Sequence, residues 1–316
     1  MKEHYKSKTH KGWIDIIMLM KETLKKLNTY RKVLIGFVQW TLLKHKIARN
    51  ELTWYFVCNG HIGDTIVFLR FLQIFAQRQN YPPITLIGQT KQKELLTFFA
   101  LNCNVILKPK LPYYEINNFV AQNTPFKKSE LLPGYFNPLF LVDSNIYHHT
   151  DIFKLVLRLP FLEKYKGAPS LQMKRSVEHK YSLNESDKKL IVLSPHAKSI
   201  RGLSLGTWEY IANSLKNKGY NVVTNISEKE QAIKGTNRIS IPLNEMGLNF
   251  FNEVDGVISV RNGLSDFLFL TDCRLIVIYP DQHSLTFNCL QYYNTRPNLY
   301  ELIQNTDIAE KILSLF

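Results

Sequence analysis

Several common sources of stability and chemistry are scarce in this sequence. The 316 residues include only four cysteines, Cys58, Cys103, Cys273 and Cys289, and no two of them form a CxxC pair. This scarcity disfavours both a disulfide framework and a thiolate zinc site, and it fits a reducing cytoplasm. The longest apolar run, from Val33 to Leu43, is shorter than the roughly 20 residues that cross a bilayer. It therefore predicts no membrane span.

The common nucleotide-binding motifs are also missing. The sequence has no GxGxxG and no P-loop. Their absence argues against a dinucleotide fingerprint and against the phosphate cradle of P-loop NTPases.

Positive charge, by contrast, is abundant. Forty Lys and Arg against 26 Asp and Glu give a formal net charge of +14, which favours binding to phosphates of nucleic acid, lipid headgroups or nucleotides. Residues 1–50 are basic, and no secretory cleavage pattern follows them, so we do not expect export. The run from Val33 to Leu43 has basic flanks, and Trp13 lies upstream. We expect either an amphipathic helix on an anionic membrane or helices packed on the first domain.

After residue 50, short apolar strands alternate with helical patterns, which predicts parallel sheets with helices on both faces. In the first unit we predict strands at 53–58, 84–88, 104–108 and 139–143, and helices at 65–80, 91–101 and from 151 to Pro160. In the second unit we predict strands at 189–195, 220–226, 237–242, 256–260 and 274–280, and helices at 206–219, 227–235, 248–254, 263–272 and 307–316. The predicted division is a basic helical segment 1–50, a Rossmann-like domain 51–170 and a second one 171–316.

The stretch "NGHIGD" (59–64) joins the first strand to its helix. Gly60 and Gly63 permit a tight backbone and close approach of a ligand. Asp64 has two interpretations, which both stay open: an N-cap of the helix, or a general base held at a cleft.

A second stretch, "SVRNGLSD" (259–266), is typical of an anion site. Gly263 permits close approach, a helix starting near Leu264 presents N–H groups, and Arg261 offers a fork of donors. Alternatively, Arg261 pairs with a carboxylate across the domain. Asp266 is expected either to be stabilised by the helix dipole, as an acidic residue in the first turn, or to contact ribose or sugar hydroxyls.

The stretch "SPHAKSIRG" (194–202) places His196, Lys198, Ser199 and Arg201 together after the first strand of the second unit. Their charge could neutralise a departing diphosphate without a metal. A metal site at His148, His149 and Asp151 is disfavoured, because adjacent side chains seldom converge.

Together these stretches resemble heptosyltransferase-like (family 9) glycosyltransferases, over roughly residues 53–280. The resemblance implies a GT-B fold of two facing Rossmann-like domains, with Asp64 as catalytic base. It also implies that Lys198 holds the donor phosphate and that Trp208 opens the next helix. "RNGLSD" replaces the family's Asp-Ser-Gly-x-x-His motif, so Arg261, Asn262 and Asp266 depart from it. The donor is therefore expected to differ from the heptosyl standard.

The resulting prediction is a metal-independent, hexosyl- or heptosyltransferase-like enzyme without cofactor. It would transfer sugar from a nucleotide diphospho-sugar to a cell-surface glycan, lipopolysaccharide or lipid-linked acceptor. No D-x-D pair that could hold a metal occurs in the chain. The protein is expected to be cytoplasmic, at the inner membrane surface. The rivals are a fucosyltransferase-like GT-B enzyme and a non-catalytic sugar- or nucleic-acid-binding protein. Nucleic acid is disfavoured, because Lys and Arg are spread along the chain.

Overall fold

The computed structural model describes two α/β units and part of an N-terminal helix. The described residues are 20–21, 23–24, 27–28, 30–31, 34–35, 37–38, 41–42, 54–58, 62–78, 84–99, 103–108, 132–133, 148, 150–151, 189–197, 200–227, 230–292 and 296–316. The described residues between 20 and 42 are helical. None of the helices described is both long enough and apolar enough to cross a membrane.

The first unit is a four-stranded parallel sheet in the order β3-β2-β1-β4. Its strands are β1 (Trp54–Val57), β2 (Ile84–Gln89), β3 (Asn104–Lys108) and β4 (Leu132–Pro133). Helix α1 (Ile62–Arg78) follows β1, and a 3-10 turn (Thr90–Gln92) leads into α2 (Lys93–Phe99). The apolar β-branched residues of β2 are buried, as expected for a strand covered on both faces.

The second unit is a six-stranded parallel sheet in the order β10-β9-β8-β5-β6-β7. Its strands are β5 (Leu190–Ser194), β6 (Asn221–Asn225), β7 (Asn237–Ile239), β8 (Gly256–Val260), β9 (Arg274–Tyr279) and β10 (Leu299–Ile303). Numbered from its own first strand, this is the 3-2-1-4-5-6 order of doubly wound sheets. The chain reverses direction across the sheet between β5 and β8.

Five helices cover the second sheet. They are α3 (Leu205–Asn217), α4 (Glu245–Glu253), α5 (Gly263–Leu268), α6 (Gln282–Asn288) and α7 (Ile308–Leu313). Helix α3 shows how the local sequence determines where a helix begins and which face it buries. Ser204 caps it by accepting from the Thr207 N–H at 3.1 Å, and Trp208, Ile211, Ala212 and Leu215 recur at helical spacing and are buried. That stripe packs in the cluster shared with Ile191, Leu193 and Ile258 of the sheet.

The other core cluster joins the two units. Side chains of α1, including Ile66, Phe68 and Phe71, belong to the same buried cluster as Phe267 and Leu268 of α5. The two sheets are therefore held together by an apolar contact between helices and not only by the connecting chain.

The predicted α/β class with parallel sheets is confirmed. Some element predictions are wrong. Helix α1 begins at Ile62, before the predicted Thr65, and the described residues of 227–235 contain no helix. Strands β4 and β10 and helix α6 were not predicted. The predicted strand at 139–143 and the predicted boundary near residue 170 lie outside the described residues, so the domain limits stay a prediction.

Candidate functional site

The motif loops of both units leave the point where their sheet changes direction. β1 lies between β2 and β4, and β5 lies between β6 and β8. The "NGHIGD" stretch follows β1, the "SPHAKSIRG" stretch follows β5, and "RNG" follows β8. In open α/β sheets, ligands bind outside the carboxyl ends of the strands at such switch points. The topology thus makes the loops after β1, β5 and β8 the candidate site.

Helices α1 and α5 touch at their first turns. A Cβ atom built on Gly63 would lie 2.6 Å from Asp266 Oδ2 and 3.0 Å from the Gly263 Cα. One built on Gly263 would lie 2.8 Å from the Gly63 backbone nitrogen. Only glycine permits so close an approach at these two positions. We call Gly63, Gly263 and Asp266 the glycine junction.

Asp64 directly follows Gly63 and is half-buried. It is the third residue of α1, so the N-cap interpretation is wrong: the capping position precedes Ile62. A carboxylate in the first turn of a 17-residue helix is favoured by the helix dipole. The residue therefore lies beside the second unit, at the glycine junction, with part of its surface open to solvent. Gly60 lies outside the described residues.

Arg261 does not present its guanidinium to a ligand. It is buried and forms a bidentate ion pair with Asp266, Nη1 to Oδ2 at 2.8 Å and Nη2 to Oδ1 at 2.8 Å. Its Nε donates to the Asn288 carbonyl at 3.0 Å, and Nη1 also donates to the Asn262 carbonyl at 2.8 Å. The expected contact of Arg261 with phosphate is replaced by the ion-pair interpretation. The partner is five residues ahead, in the first turn of α5, and not across the domain.

The ion pair also changes the interpretation of Asp266. Only 4% of its side chain is exposed, and both of its oxygens accept from Arg261. A buried carboxylate in this position is not available for the expected contact with ribose or sugar hydroxyls. Its alternative, a residue favoured at the first turn of a helix, agrees with its place in α5.

Asn262 caps α5 and ties two loops together. Its Oδ1 accepts from the N–H groups of Leu264 at 3.0 Å and Ser265 at 3.2 Å. Its Nδ2 donates to the His196 carbonyl at 2.9 Å. The helix-start N–H groups near Leu264 were expected to bind a donor phosphate. In the structure they donate to the side chain of Asn262 instead. The same side chain fixes the loop after β5 against the loop after β8.

The loop after β5 carries the remaining predicted basic residues. His196 is half-buried, and its Nε2 bonds with the Gln231 carbonyl at 3.0 Å. Arg201 is exposed. A Cβ on Gly202 would lie 3.0 Å from the Pro195 carbonyl oxygen, so the loop folds back on its own start. Lys198 and Ser199 lie between these positions but outside the described residues.

A polar cluster that sequence reasoning missed joins residues 148–151 to the second unit. His148 is buried, bonds through Nδ1 with Thr150 Oγ1 at 2.8 Å, and through Nε2 with the Cys289 carbonyl at 2.9 Å. Its ring stacks on Tyr292 with centroids 4.0 Å apart. The Tyr292 hydroxyl donates to the Asp151 carboxylate at 3.2 Å. Burial and that carboxylate raise the pKa of Tyr292 to about 12.

Both nitrogens of His148 are engaged by protein partners. His149, the neighbouring candidate ligand, lies outside the described residues. Across the described part of the chain, no group of His, Cys, Asp and Glu could hold a metal ion. A pairing across such a sequence distance leaves no local signal, which is why the sequence did not predict this contact.

The sequence matches no protein-family model and no curated protein. Its fold, however, is found among solved structures. E. coli ADP-heptose LPS heptosyltransferase II superposes with a TM-score of 0.57 at 12% identity, over 83% of this chain and 96% of that one. The glycosyl transferase family 9 protein of Veillonella parvula gives 0.53 at 15%, over 85% and 91%. A Listeria monocytogenes protein assigned as a UDP-N-acetylglucosamine 2-epimerase gives 0.51 at 11%, over 84% and 88%. At such identities the likeness establishes a shared two-unit Rossmann-like fold.

Proposed function

We propose that the chain is a glycosyltransferase that transfers sugar from a nucleotide diphospho-sugar to a hydroxyl of a glycan, lipopolysaccharide or lipid-linked acceptor. One observation carries this proposal: the helices that follow β1 and β8, at the switch points of two parallel sheets, meet at the glycine junction, and Asn262 ties the loop after β5 to the start of α5. A groove between two such sheet ends suits a donor on one side and an acceptor on the other.

In this proposal Asp64 is the general base. Its carboxylate takes the proton of the acceptor hydroxyl, and the acceptor oxygen forms a bond to the anomeric carbon. The bond from that carbon to the diphosphate oxygen breaks, and its electron pair leaves with the nucleoside diphosphate. The half-buried position of Asp64 at the junction supports this role, because the group is reachable and lies next to the second unit.

The loop after β5 supplies the positive charge for the departing diphosphate. Lys198, Ser199 and Arg201 are its proposed phosphate contacts, and His196 holds the loop through the Gln231 carbonyl. Positive groups on this loop can stabilise a diphosphate without a metal ion, so we propose metal-independent chemistry without a cofactor. Asn262 and Gly263 then shape the donor pocket, and Arg261 acts through Asp266.

The names of the structural neighbours suggest the donor class. One is an ADP-heptose transferase and another is assigned to UDP-N-acetylglucosamine epimerisation, so a nucleotide diphospho-sugar is common to both. The departures at Arg261, Asn262 and Asp266 from the resembled motif favour a donor sugar other than heptose. A fucosyltransferase-like enzyme with another donor remains the rival, and a non-catalytic sugar- or nucleic-acid-binding protein is the alternative outside enzymes.

We also propose that the N-terminal segment rests on the anionic inner surface of the membrane. Eight large apolar side chains among the described helical residues expose between 45% and 73% of their surface: Met20, Leu24, Leu27, Tyr30, Leu34, Phe37, Val38 and Leu42. Lys21 and Arg31 are exposed on the same helix. Apolar and cationic groups together suit a headgroup layer.

A flotation assay tests this placement. The protein is expected to float with vesicles that contain phosphatidylglycerol, but not with vesicles of phosphatidylcholine alone. Equal flotation with both kinds of vesicle, or with neither, contradicts the placement.

A donor panel tests the proposed activity. The full chain is incubated with UDP-, GDP-, ADP- and CMP-linked sugars, and both the melting temperature and the release of nucleotide are followed. A donor that binds only the folded protein raises the melting temperature. Stabilisation by one nucleoside diphospho-sugar, with release of nucleotide that requires acceptor, supports a transferase. Stabilisation without turnover under any acceptor supports the binding-protein alternative.

The Asp64→Asn variant tests the base. It is expected to lower kcat by roughly 10²- to 10⁴-fold while the donor still raises the melting temperature. Asp307→Asn is the control, because Asp307 is an exposed residue that makes no side-chain cap to α7. Unchanged turnover in Asp64→Asn would remove Asp64 from the chemistry.

A further inference from the structure

The Arg261–Asp266 pair is held more tightly than a surface ion pair. Arg261 and Asp266 expose 7% and 4% of their side chains, and two hydrogen bonds of 2.8 Å join them. The guanidinium also donates to the carbonyls of Asn262 and Asn288. A planar fork engaged with three residues has one available orientation, so the Asp266 carboxylate is fixed in position as well as in charge.

The Asp266 carboxylate lies against the first turn of α1. Its Oδ2 occupies the space that a Cβ atom on Gly63 would need, at 2.6 Å. The first turn of a helix has outward-facing N–H groups and the positive end of the dipole, so a carboxylate is favoured there. Asp266 therefore lies between the start of α1 on one side and Arg261 on the other. Glycine at position 63 is what lets the carboxylate approach.

Asp64 is the next residue of that same turn. The orientation of its carboxylate relative to the second unit consequently follows the orientation of the first turn of α1. The Gly63–Gly263 contact is a contact of bare backbone, whereas Asp266 brings a buried charge to the glycine junction. Arg261 holds that charge in place through the ion pair.

We infer that Arg261 and Asp266 form a positioning pair that holds the first turn of α1, and with it Asp64, in register with the second unit. This inference rests on the proposed function only for the role of Asp64. Both side chains are buried, so the pair would act on the reaction through α1 and not by contact with a donor or an acceptor. A group displaced by about 1 Å from its productive place can lose on the order of 10²-fold in rate, so the pair would act on kcat.

Hydrogen exchange tests the positioning pair without any substrate. In Asp266→Asn the carboxylate charge is lost while the side-chain shape is kept. Amide exchange in a peptide that covers the first two turns of α1 is expected to accelerate roughly tenfold, while exchange in β5 and β6 stays unchanged. Asp281→Asn is the matched control, since Asp281 caps α6 by accepting from the Ser284 N–H at 2.7 Å and is not part of the glycine junction. Unchanged exchange at α1 in Asp266→Asn overturns the inference.

The paired variant separates positioning from general destabilisation. Arg261→Met alone leaves a buried carboxylate without its cation, so it is expected to accelerate exchange at α1 more than Arg261→Met combined with Asp266→Asn. If exchange at α1 in the double variant is faster than in Arg261→Met by the full factor that Asp266→Asn causes alone, the two residues act independently. The inference then fails.

Kinetics then test the consequence for Asp64. With the donor found in the panel, Asp266→Asn is expected to lower kcat by about 10- to 100-fold while the donor KM changes less than threefold. Accelerated exchange together with an unchanged kcat overturns the positioning role. If the wild-type protein turns over no donor, the proposed function has failed, and the exchange measurements alone decide whether the pair holds α1.

Discussion

At the scale of single residues, the close contact between Gly63 and Gly263 sets the geometry of the site. Both positions meet backbone atoms of the other helix, at 2.8 to 3.0 Å from a built Cβ. Backbone atoms in two packed helices have little freedom to move aside, unlike the end of a flexible side chain. The requirement for glycine therefore comes from the approach of two helices and not from an unusual backbone angle.

Gly63→Ala is expected to destabilise the protein by about 1–3 kcal/mol, because the added methyl group forces α1 away from α5. Urea denaturation followed by fluorescence measures the change. Gly206→Ala is the control: Gly206 lies in α3, and its nearest neighbour to a built Cβ is Ser204 Oγ at 4.0 Å. That variant is expected to keep or slightly raise stability. Equal stability of the two variants would contradict the close contact.

Cys58 makes a pH-dependent contribution to stability. Burial, with a smaller effect of Cys103, raises the pKa of its thiol from 9.0 to about 12. A raised folded-state pKa gives a contribution that is complete below pH 9 and is lost as the pH rises towards 12, because the unfolded chain releases the proton first. The free energy of unfolding is expected to fall by about 1 kcal/mol between pH 8 and pH 10 through this group. Cys58→Ala should remove that part of the decline, measured by urea unfolding at both pH values.

At the scale of elements, helix starts do more in this protein than satisfy backbone groups. The cap of α5 also binds the loop after β5, because Asn262 accepts from Leu264 and Ser265 while donating to the His196 carbonyl. The cap of α3 at Ser204 is local: it accepts from Thr207 and bonds with its hydroxyl. The two caps therefore predict different consequences for the candidate site.

Asn262→Ala and Ser204→Ala are each expected to lower the free energy of unfolding by about 1 kcal/mol, which is typical for a lost cap. Only Asn262→Ala is expected to weaken nucleotide binding several-fold, since only that cap joins two loops of the site. Isothermal titration with the nucleotide that stabilises the wild type measures the difference. Equal affinities for the two variants would show that the tie to His196 has no role in binding.

Element prediction from the sequence succeeded where a pattern is local and long. The apolar runs of β2, β5, β8 and β9 are buried strands, as their composition predicts. Strand β4 was missed because it has two residues, one of them a proline, and it exists only through its pairing with Phe56 and Val57. Strand β10 was missed because its residues after Leu299 are half-buried and mixed in polarity, as at the edge of a sheet.

At the scale of the whole molecule, the two units are joined by several distinct contacts. The apolar cluster of α1 and α5 is continuous, and Arg70 of α1 lies over the Phe269 ring at 4.9 Å. Asn244 of the second unit donates to Glu94 of the first at 3.0 Å. Such a shared core couples the unfolding of one unit to that of the other.

Differential scanning calorimetry is therefore expected to give one unfolding transition for the two units, with the calorimetric enthalpy equal to the van't Hoff enthalpy. Phe267→Ala removes a fully buried side chain of the shared cluster. This variant is expected to lower the midpoint temperature of that single transition. Resolution of the wild-type trace into two transitions would mean that the contacts between the units are too weak to couple them.

The sequence by itself determined the α/β class, the order of most elements and the three loops that form the candidate site. It could do so because strand and helix patterns are local, and because loops after parallel strands emerge at one edge of a sheet. Only the tertiary structure decided that Arg261 pairs with Asp266, that Asn262 caps α5, and that Gly63 touches Gly263. Each of these depends on which groups meet when two helices and two loops pack together, and a side chain's partner is chosen by that packing and not by its own chemistry.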